Sequence, residues 1–520
     1  MLHGDWTVER TDYHKIHGTN LRDAVEVLDA TPQTWWRPNL VLALELDIRL
    51  PDKNTGQLVS QLHRQLRTAI VSGRLRAGTQ LPPTRKLALE LGISRNSVVA
   101  AYDLLLSEGY LSGKVGSGSF VNEMRGLRSG QRRRPDSDFT SLIAPLWRRP
   151  PTIPSASVPK TISYDFRFGH PDVAHFPHHI WQRLSGRAMR QALRRGEEAG
   201  PPEGLQVLRE AIVQHASFSR AISCQPENVV VTNGAQQGFS LLAQVLVQSG
   251  KTVVAIEDPG YRPARLAFAT AGARIMPVPV DAEGIVVSKL PRDAGVIYVT
   301  PTHQSPLGVT MSARRRTELL AFAETHSAVI VEDDYDSEFR YGDRPHDALQ
   351  TFDESGVVFY VGTFTKSMFP SLRLGFVVSP PWASDALIAA KRVADGQCAA
   401  ILQATLADFI LEGHLARHVR KMRSVYSTRN DTVLKSLIEH LPDLLEPIPT
   451  SAGIHCAAFF RTPVDINDVI NRATNAGIAI EDLDRFWVAP PPRSGLAFGF
   501  SAIDESRIKD GIALLAKILT

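Results

Sequence analysis

Cysteine is scarce in this 520-residue chain: Cys224, Cys398 and Cys456 are the only three, they lie far apart, and they are odd in number. That argues against a disulfide framework and against a cysteine-based metal cage, and the thiols are expected to be buried and inert. His175, His178 and His179 crowd against prolines and read as surface residues, so no metal site is expected. No apolar run approaches the ~18 residues of a membrane span. The opening Met1-Leu2-His3-Gly4-Asp5-Trp6 lacks the apolar core of a signal segment. No membrane partner is expected, and the cytoplasm is the expected location. Net charge is also small, a +4 that names no partner by its size.

The distribution of that charge is more informative. Between residues 53 and 121 nine basic side chains face three acidic ones, while the rest of the chain is near neutral. A basic surplus confined to one small segment is an electrostatic footprint for nucleic acid. The chain is also longer than one hydrophobic core usually serves, so two or three domains are expected. Residues 1–50 carry no chemistry and stay unassigned, although Leu42-Ala43-Leu44-Glu45-Leu46-Asp47-Ile48 alternates like a strand. Over residues 51–123 the spacing of Val59, Leu62, Leu66 and Ile70 predicts a helix closed by Gly73. A short helix with Leu87 and Leu91 inward stops at Gly92. Ser94 then caps a third helix that buries Val98, Ala101, Tyr102 and Leu105. Helix, glycine turn, helix reads as a helix-turn-helix, and the Gly-rich stretch Ser112–Ser119 reads as a hairpin wing. On that reading Ser94, Arg95, Asn96 and Ser97 open the recognition helix against DNA, with Arg85 and the wing residues Lys114 and Ser117 beside them. The same pattern also suits a small helical domain for protein contacts, with its charges solvated.

Residues 124–163, rich in proline and carrying Arg132-Arg133-Arg134, read as a linker. From residue 164 to 520 apolar runs alternate with helical patterns, as in a parallel sheet covered by helices. Val357–Val361 reads as a buried strand that ends in Gly362-Thr363-Phe364-Thr365-Lys366-Ser367, with Arg373 following. Ligand sites sit at such carboxyl ends. A lysine beside apolar walls can act as an amine toward an aldehyde, while Thr363, Thr365 and Arg373 offer donors to a phosphate. One βα unit upstream, the strand Ala328–Val331 runs into Glu332-Asp333-Asp334-Tyr335-Asp336. A carboxylate there suits a protonated pyridine nitrogen, and a phenol suits its ring hydroxyl. Singly, a strand-end lysine is an ordinary solvated residue and an acidic run an ordinary helix start. Two such ends one βαβ unit apart together make the set that pyridoxal phosphate requires. Another strand enters Asn233-Gly234-Ala235-Gln236-Gln237, where the first amides of a helix, at Ala235 and Gln236, suit a phosphate.

These residues carry a resemblance. G-T-F-T-K-S-M-F-P-S-L-R-L-G from Gly362, E-D-D-Y-D-S-E-F from Glu332, E-D-P-G-Y from Glu257, T-N-G-A-Q-Q from Thr232 and P-T-H-Q-S-P-L-G from Pro301 resemble fold-type-I aminotransferases. L-P-P-T-R-K-L-A from Leu81, S-R-N-S-V from Ser94 and the stretch from Leu106 to Val121 resemble the GntR-type winged helix. The two together resemble the MocR-type regulators, in which both domains are fused. The resemblance implies an α/β aminotransferase-like domain with a smaller C-terminal subdomain from about residue 390, and pyridoxal 5′-phosphate as cofactor. It further implies Lys366 as the Schiff-base lysine, Asp333 and Tyr335 at the ring, Tyr261 stacked on it, and His303 and Gln304 near the ring oxygen or a ligand. Operator DNA and a domain-swapped head-to-tail homodimer are the implied partners.

Two departures from the family pattern stand out. Ala199-Gly200-Pro201-Pro202-Glu203-Gly204 replaces a segment whose tyrosine reaches the neighbouring subunit's cofactor. Ala497-Phe498-Gly499-Phe500-Ser501 lacks the arginine that holds a substrate carboxylate, and leaves Arg485, Arg493, Arg262 and Arg265 as substitutes. The reading that follows is a regulator that senses a small amine or amino acid by external aldimine formation, with little completed transamination. The alternatives are a true aminotransferase with a vestigial DNA-binding domain, and a regulator that senses pyridoxal phosphate itself.

Overall fold

The structure, a computed structural model, describes Ile48, Leu50 and residues 57–114, 118–123, 139–148, 162–167, 169–195, 200–341 and 347–520. The alternating stretch before Ile48 therefore lies outside the described residues. The chain forms two compact units, residues 1–141 and 142–520. Among the described residues no helix is long and apolar enough to cross a membrane.

The first unit is built from helices Leu58–Val71, Thr84–Glu90 and Arg95–Ser107, followed by antiparallel strands β1 (Leu111–Lys114) and β2 (Gly118–Val121). Its core is the expected one: Leu62, Leu66, Ile70, Leu87, Val98, Ala101, Tyr102 and Leu105 are all buried. Leu91 is only half-buried, and Leu89 faces outward. The buried Tyr102 hydroxyl donates to the Pro82 carbonyl at 2.9 Å and fastens the third helix to the start of the second. The linker expected over 124–163 is not wholly irregular, because residues 139–148 within it form two short helical turns.

In the second unit, β3 is Tyr164–Asp165, β4 Val229–Thr232, β5 Val253–Asp258, β6 Arg274–Asp281, β7 Gly284–Ile285, β8 Ala294–Val299, β9 Val329–Asp334, β10 Val358–Thr363 and β11 Gly375–Val378. The eight strands from β4 to β11 form one sheet in the order β4-β11-β10-β9-β8-β5-β6-β7. Its centre, β10-β9-β8-β5-β6, is parallel. The expectation of a parallel sheet needs correction at the edges: β11 runs antiparallel to both β10 and β4, and β7 to β6. The apolar content of β11 matches that of its neighbours, and strand direction leaves no mark in such a pattern.

The central strands are buried on both faces because helices cover both. Val254, Ile256, Val296, Tyr298, Val331, Phe359 and Val361 pack on one face against Phe239, Leu242, Phe268 and Leu387. On the other, Ile297, Val299, Ile330 and Val358 meet Leu319 and Ala323. Strands β12 (Leu445–Pro447), β13 (His455–Phe460), β15 (Glu481–Asp482) and β16 (Gly495–Gly499) make a second, antiparallel sheet in the order β12-β13-β16-β15, while β14 (Ile478–Ala479) pairs with β3. This C-terminal part shares a continuous hydrophobic core with the large sheet, running from Phe166 through Val231 and Tyr360 to Phe498 and Leu515.

Candidate cofactor site and nucleic-acid interface

The carboxyl ends of β4, β5, β9 and β10 open onto one cavity of about 110 Å³ lined by Gly169, Ala235, Gln236, Phe239, Tyr261, Ser305, Asp333, Tyr335, Thr363, Thr365, Lys366 and Arg373. Each strand ends in a turn or a helix start that hands between one and four residues to this space. Lys366 is half-buried, and its Nζ donates to the Gly169 carbonyl at 2.7 Å. Burial lowers its pKa against the opposing pull of Asp336 and Asp333, and the Arg373 charge adds to the lowering. The amine form is therefore easier to reach than for a solvated lysine.

Asp333, fully buried at the end of β9, has its pKa pushed up to about 7 by burial, against a hydrogen bond that favours the anion. That bond comes from the Tyr298 hydroxyl, which donates to Oδ2 at 2.5 Å. The other oxygen, Oδ1, is buried without a hydrogen-bond partner. An unpartnered buried carboxylate oxygen is costly, and a cationic N–H donor in the cavity removes that cost. Beside it, burial raises the Tyr261 phenol to about 12 and the Tyr335 phenol well above its usual value, so both are neutral donors.

At the opposite end, Gly234 has φ +77°, and a Cβ there would lie 3.2 Å from the Arg373 guanidinium. The missing side chain lets Arg373 approach the start of helix Ala235–Leu246, where its Nη2 donates to the Asn233 carbonyl at 3.2 Å. The Thr363 and Thr365 hydroxyls lie 3.0 Å apart on the same rim. A guanidinium, two hydroxyls and a helix N-terminus together make a phosphate cradle.

Two expected residues are placed elsewhere. His303 and Gln304 are buried but do not line the cavity; the neighbouring Ser305 does. The His303 ring turns to Asp336, with Nδ1 2.9 Å from Oδ2, and the Gln304 amide donates to the Pro259 carbonyl at 2.8 Å and approaches Glu257. Both are drawn off by stronger partners behind the loop. None of the four substitute arginines lines the cavity either. Arg493 pairs with Glu446 at 2.7 Å and covers the Phe459 ring, and Arg485 pairs with Glu481. Arg262 and Arg265 open helix Arg262–Thr270 directly after Tyr261. Burial lowers the pKa of Arg265 and of Arg485, and the Arg262 charge lowers each further. Tyr298 and Phe239 are the residues that sequence reasoning missed. Their apolar bodies sit in strand and helix patterns, and only the phenol of Tyr298 distinguishes it from core.

In the first unit Ser94 accepts from the Ser97 amide at 3.1 Å and caps the third helix. Its hydroxyl also lies 2.9 Å from that of Ser97, so both serines are engaged locally. Arg85, Arg95 and Asn96 are exposed. Ser117 and the Lys114 side chain lie outside the described residues.

Comparison with known proteins gives this geometry its family. Residues 58–121 match the model for bacterial regulatory proteins of the gntR family, and residues 172–473 that for aminotransferase class I and II. The chain is 36% identical over 482 residues to the probable rhizopine catabolism regulatory protein MocR of Rhizobium meliloti, covering 91% of this chain and 94% of that one. It is 30% identical to the pyridoxine biosynthesis transcriptional regulator PdxR of Corynebacterium glutamicum, covering 89% and 96%. Among solved structures it resembles the kynurenine aminotransferase of Pyrococcus horikoshii in complex with PMP (TM-score 0.65, 27% identity, 69% of this chain and 91% of that one). It also resembles the alpha-aminoadipate aminotransferase of Thermus thermophilus complexed with N-(5′-phosphopyridoxyl)-L-leucine (TM-score 0.63, 25% identity, 69% and 92%). Pyridoxal phosphate is the cofactor these relationships indicate, and the orphaned Asp333 oxygen, the inward lysine and the phosphate cradle fit it. The chain belongs to the MocR-type transcriptional regulators, with a GntR-type DNA-binding domain joined to a class I and II aminotransferase domain.

Proposed function

We propose that the aminotransferase domain senses a small amine or amino acid, which displaces Lys366 from the cofactor aldehyde, and that this exchange alters operator binding by the winged helix. One observation supports this reading above the rest: the cavity joins Lys366 to Asp333, Tyr335 and a phosphate cradle, yet apart from Arg373 it has no arginine among its described lining residues. When bound, pyridoxal phosphate supplies the aldehyde and an electron-withdrawing ring. Lys366 would hold the aldehyde, Asp333 the ring nitrogen, Tyr335 the ring oxygen and Tyr261 the ring face. Thr363, Thr365, Arg373 and the amides of Ala235 and Gln236 would hold the phosphate.

A displaced Lys366 has the Gly169 carbonyl to receive its Nζ. Arg262, Arg265 and Arg485 lie outside the cavity lining, so none of them would give a ligand carboxylate the bidentate clamp that fixes a substrate for proton abstraction. Turnover is therefore expected far below an ordinary kcat of ~10 s⁻¹. Arg95 and Asn96 would meet base edges, Arg85 and Lys114 phosphates, and the protein would act as a head-to-tail homodimer. The ligand regulates only if it favours one conformation over another.

The test mixes cofactor-loaded protein with a panel of amines and follows cofactor absorbance, keto product and operator affinity. Operator affinity should change with the amine that changes the spectrum, with little or no product over hours. Rapid multiple turnover with operator affinity indifferent to every amine would overturn the sensor reading. A response to pyridoxal phosphate alone would make the cofactor itself the signal.

A further inference from the structure

Behind the cavity lies a buried group that the reading above does not use. His303, Asp336 and His455 each place a ligand-type atom within 4.8 Å of the others, and all three are buried. They come from three parts of the chain: the loop after β8, the residues after β9, and β13 of the C-terminal sheet. The rings of His303 and His455 are 4.5 Å apart. Both oxygens of Asp336 face His303 Nδ1, at 2.9 and 3.2 Å, so Nδ1 must carry the ring hydrogen. Nε2 of His303 is buried without a hydrogen-bond partner. Asp336 is held from the other side by the Ile454 amide, at 3.2 Å. Gly453 is packed so closely that a Cβ there would overlap the His303 ring.

The same Nδ1 lies 3.0 Å from the Tyr335 hydroxyl, which itself donates to the His303 carbonyl at 2.9 Å. A phenol has one hydrogen and two lone pairs. The one Nδ1 hydrogen is shared between Asp336 and the Tyr335 oxygen, and the phenol's own hydrogen, given to the His303 carbonyl in this structure, can turn instead to an acceptor in the cavity it lines. We infer that His303, oriented by Asp336, is a positioning residue that makes Tyr335 a hydrogen-bond donor toward the cofactor ring. This rests on the placement of Tyr335 at the ring oxygen proposed above.

The inference has a titratable consequence. A donor to the ring oxygen draws off the negative charge that would otherwise help retain a proton at Lys366 Nζ, so the proton leaves at lower pH. The charged and titratable groups facing this path include Asp333, Asp336 and Glu257 from the strand ends, Lys366 and Arg373 from the turn after β10, His455 from β13, and His170 with Arg167 from the segment that holds Gly169. His303 acts among them by geometry, through the one hydrogen it shares between Asp336 and Tyr335.

The experiment is a pH titration of the cofactor absorbance band in loaded protein, with no amine present. His303→Leu removes the Nδ1 donor and should raise the midpoint by roughly 0.4–1 pH unit, the equivalent of one net hydrogen bond. His303→Asn places an amide N–H where Nδ1 was and should restore the wild-type midpoint. Should His303→Leu fail to fold, His303→Gln is read in its place, since its amide falls on the Nε2 side. An unmoved midpoint in the Leu or Gln variant, with Tyr335→Phe raising it, would overturn the inference. If Tyr335→Phe also leaves it unmoved, the placement of Tyr335 at the ring fails instead. Stoichiometric metal in the purified protein, lost in His303→Leu, would likewise overturn it, because these three residues would then be ligands.

Discussion

Replacing Tyr298 with phenylalanine removes one oxygen from the protein and little else. The ring is buried at the end of β8 and packs edge-on to Phe239 with centroids 5.7 Å apart, a contact phenylalanine keeps. The hydroxyl donates to Asp333 Oδ2 at 2.5 Å. With Oδ1 already unpartnered, the variant leaves that carboxylate without a side-chain donor. A hydrogen bond to a charged group contributes about 1.5–3 kcal/mol, and the anion needed opposite a ring N–H⁺ becomes harder to form by that amount. At 1.36 kcal/mol per tenfold, pyridoxal phosphate should bind roughly ten- to hundredfold more weakly. Titrating apo-protein with the cofactor at fixed pH, followed by absorbance, measures this directly. The apo-protein should also lose some thermal stability, because a buried carboxylate loses its partner, so affinities are compared at a temperature where both proteins are folded. An unchanged cofactor affinity would refute the assignment of Asp333 to the ring nitrogen, or the claim that Tyr298 supports it.

Three further outcomes are expected. Arg220 is buried with Nε 2.6 Å from Asp334 Oδ2; Arg220→Ala should cost about 3–5 kcal/mol in urea unfolding, towards the low end because Tyr360 and Ser337 also donate to that carboxylate. Ser94→Ala should destabilise the helical unit by about 1 kcal/mol, seen as faster amide exchange at Ala101 and Leu105, and equal protection in both proteins would show the cap to be idle. Burial raises Glu257 and Asp333 to about 7 in the folded state, above their unfolded values of roughly 4. The native apo-protein therefore holds extra protons between those limits, and its stability should fall as pH rises from about 4 to 7 and level off above. Glu257→Gln should flatten that slope, and a slope it leaves unchanged would show that the group does not titrate in this window.

What could be read from the sequence divides along physical lines. Lys366, Asp333, Tyr335 and Arg373 were expected together because each lies at or beyond the end of a buried strand, and strand ends in such sheets converge on one place; Tyr261 came from the resemblance. All five line the cavity. The winged-helix core was legible from periodicity, and the Ser94 cap from residue type. That His303 and Gln304 stay out of the cavity lining was not legible, because a loop's path says nothing about which face its side chains turn to, and partners distant in sequence, Asp336 and Glu257, decided it. Tyr298 was hidden in an apolar strand. The direction of β11 was illegible, since Gly375–Val378 is equally apolar whether it runs up or down.

That reversal constrains which length changes the gene can survive. Thr363 pairs with Gly375 and Gly362 with Phe376, so residues 364–374 leave the sheet and re-enter it next to where they left. A Cβ on Gly375 would lie 2.8 Å from the Gly362 carbonyl, which leaves no slack at the neck. One added or deleted residue must either shift the ladder, turning every side chain of β11 to the wrong face, or change the separation between lysine and arginine. An insertion scan across the chain should therefore find this turn as intolerant as the core.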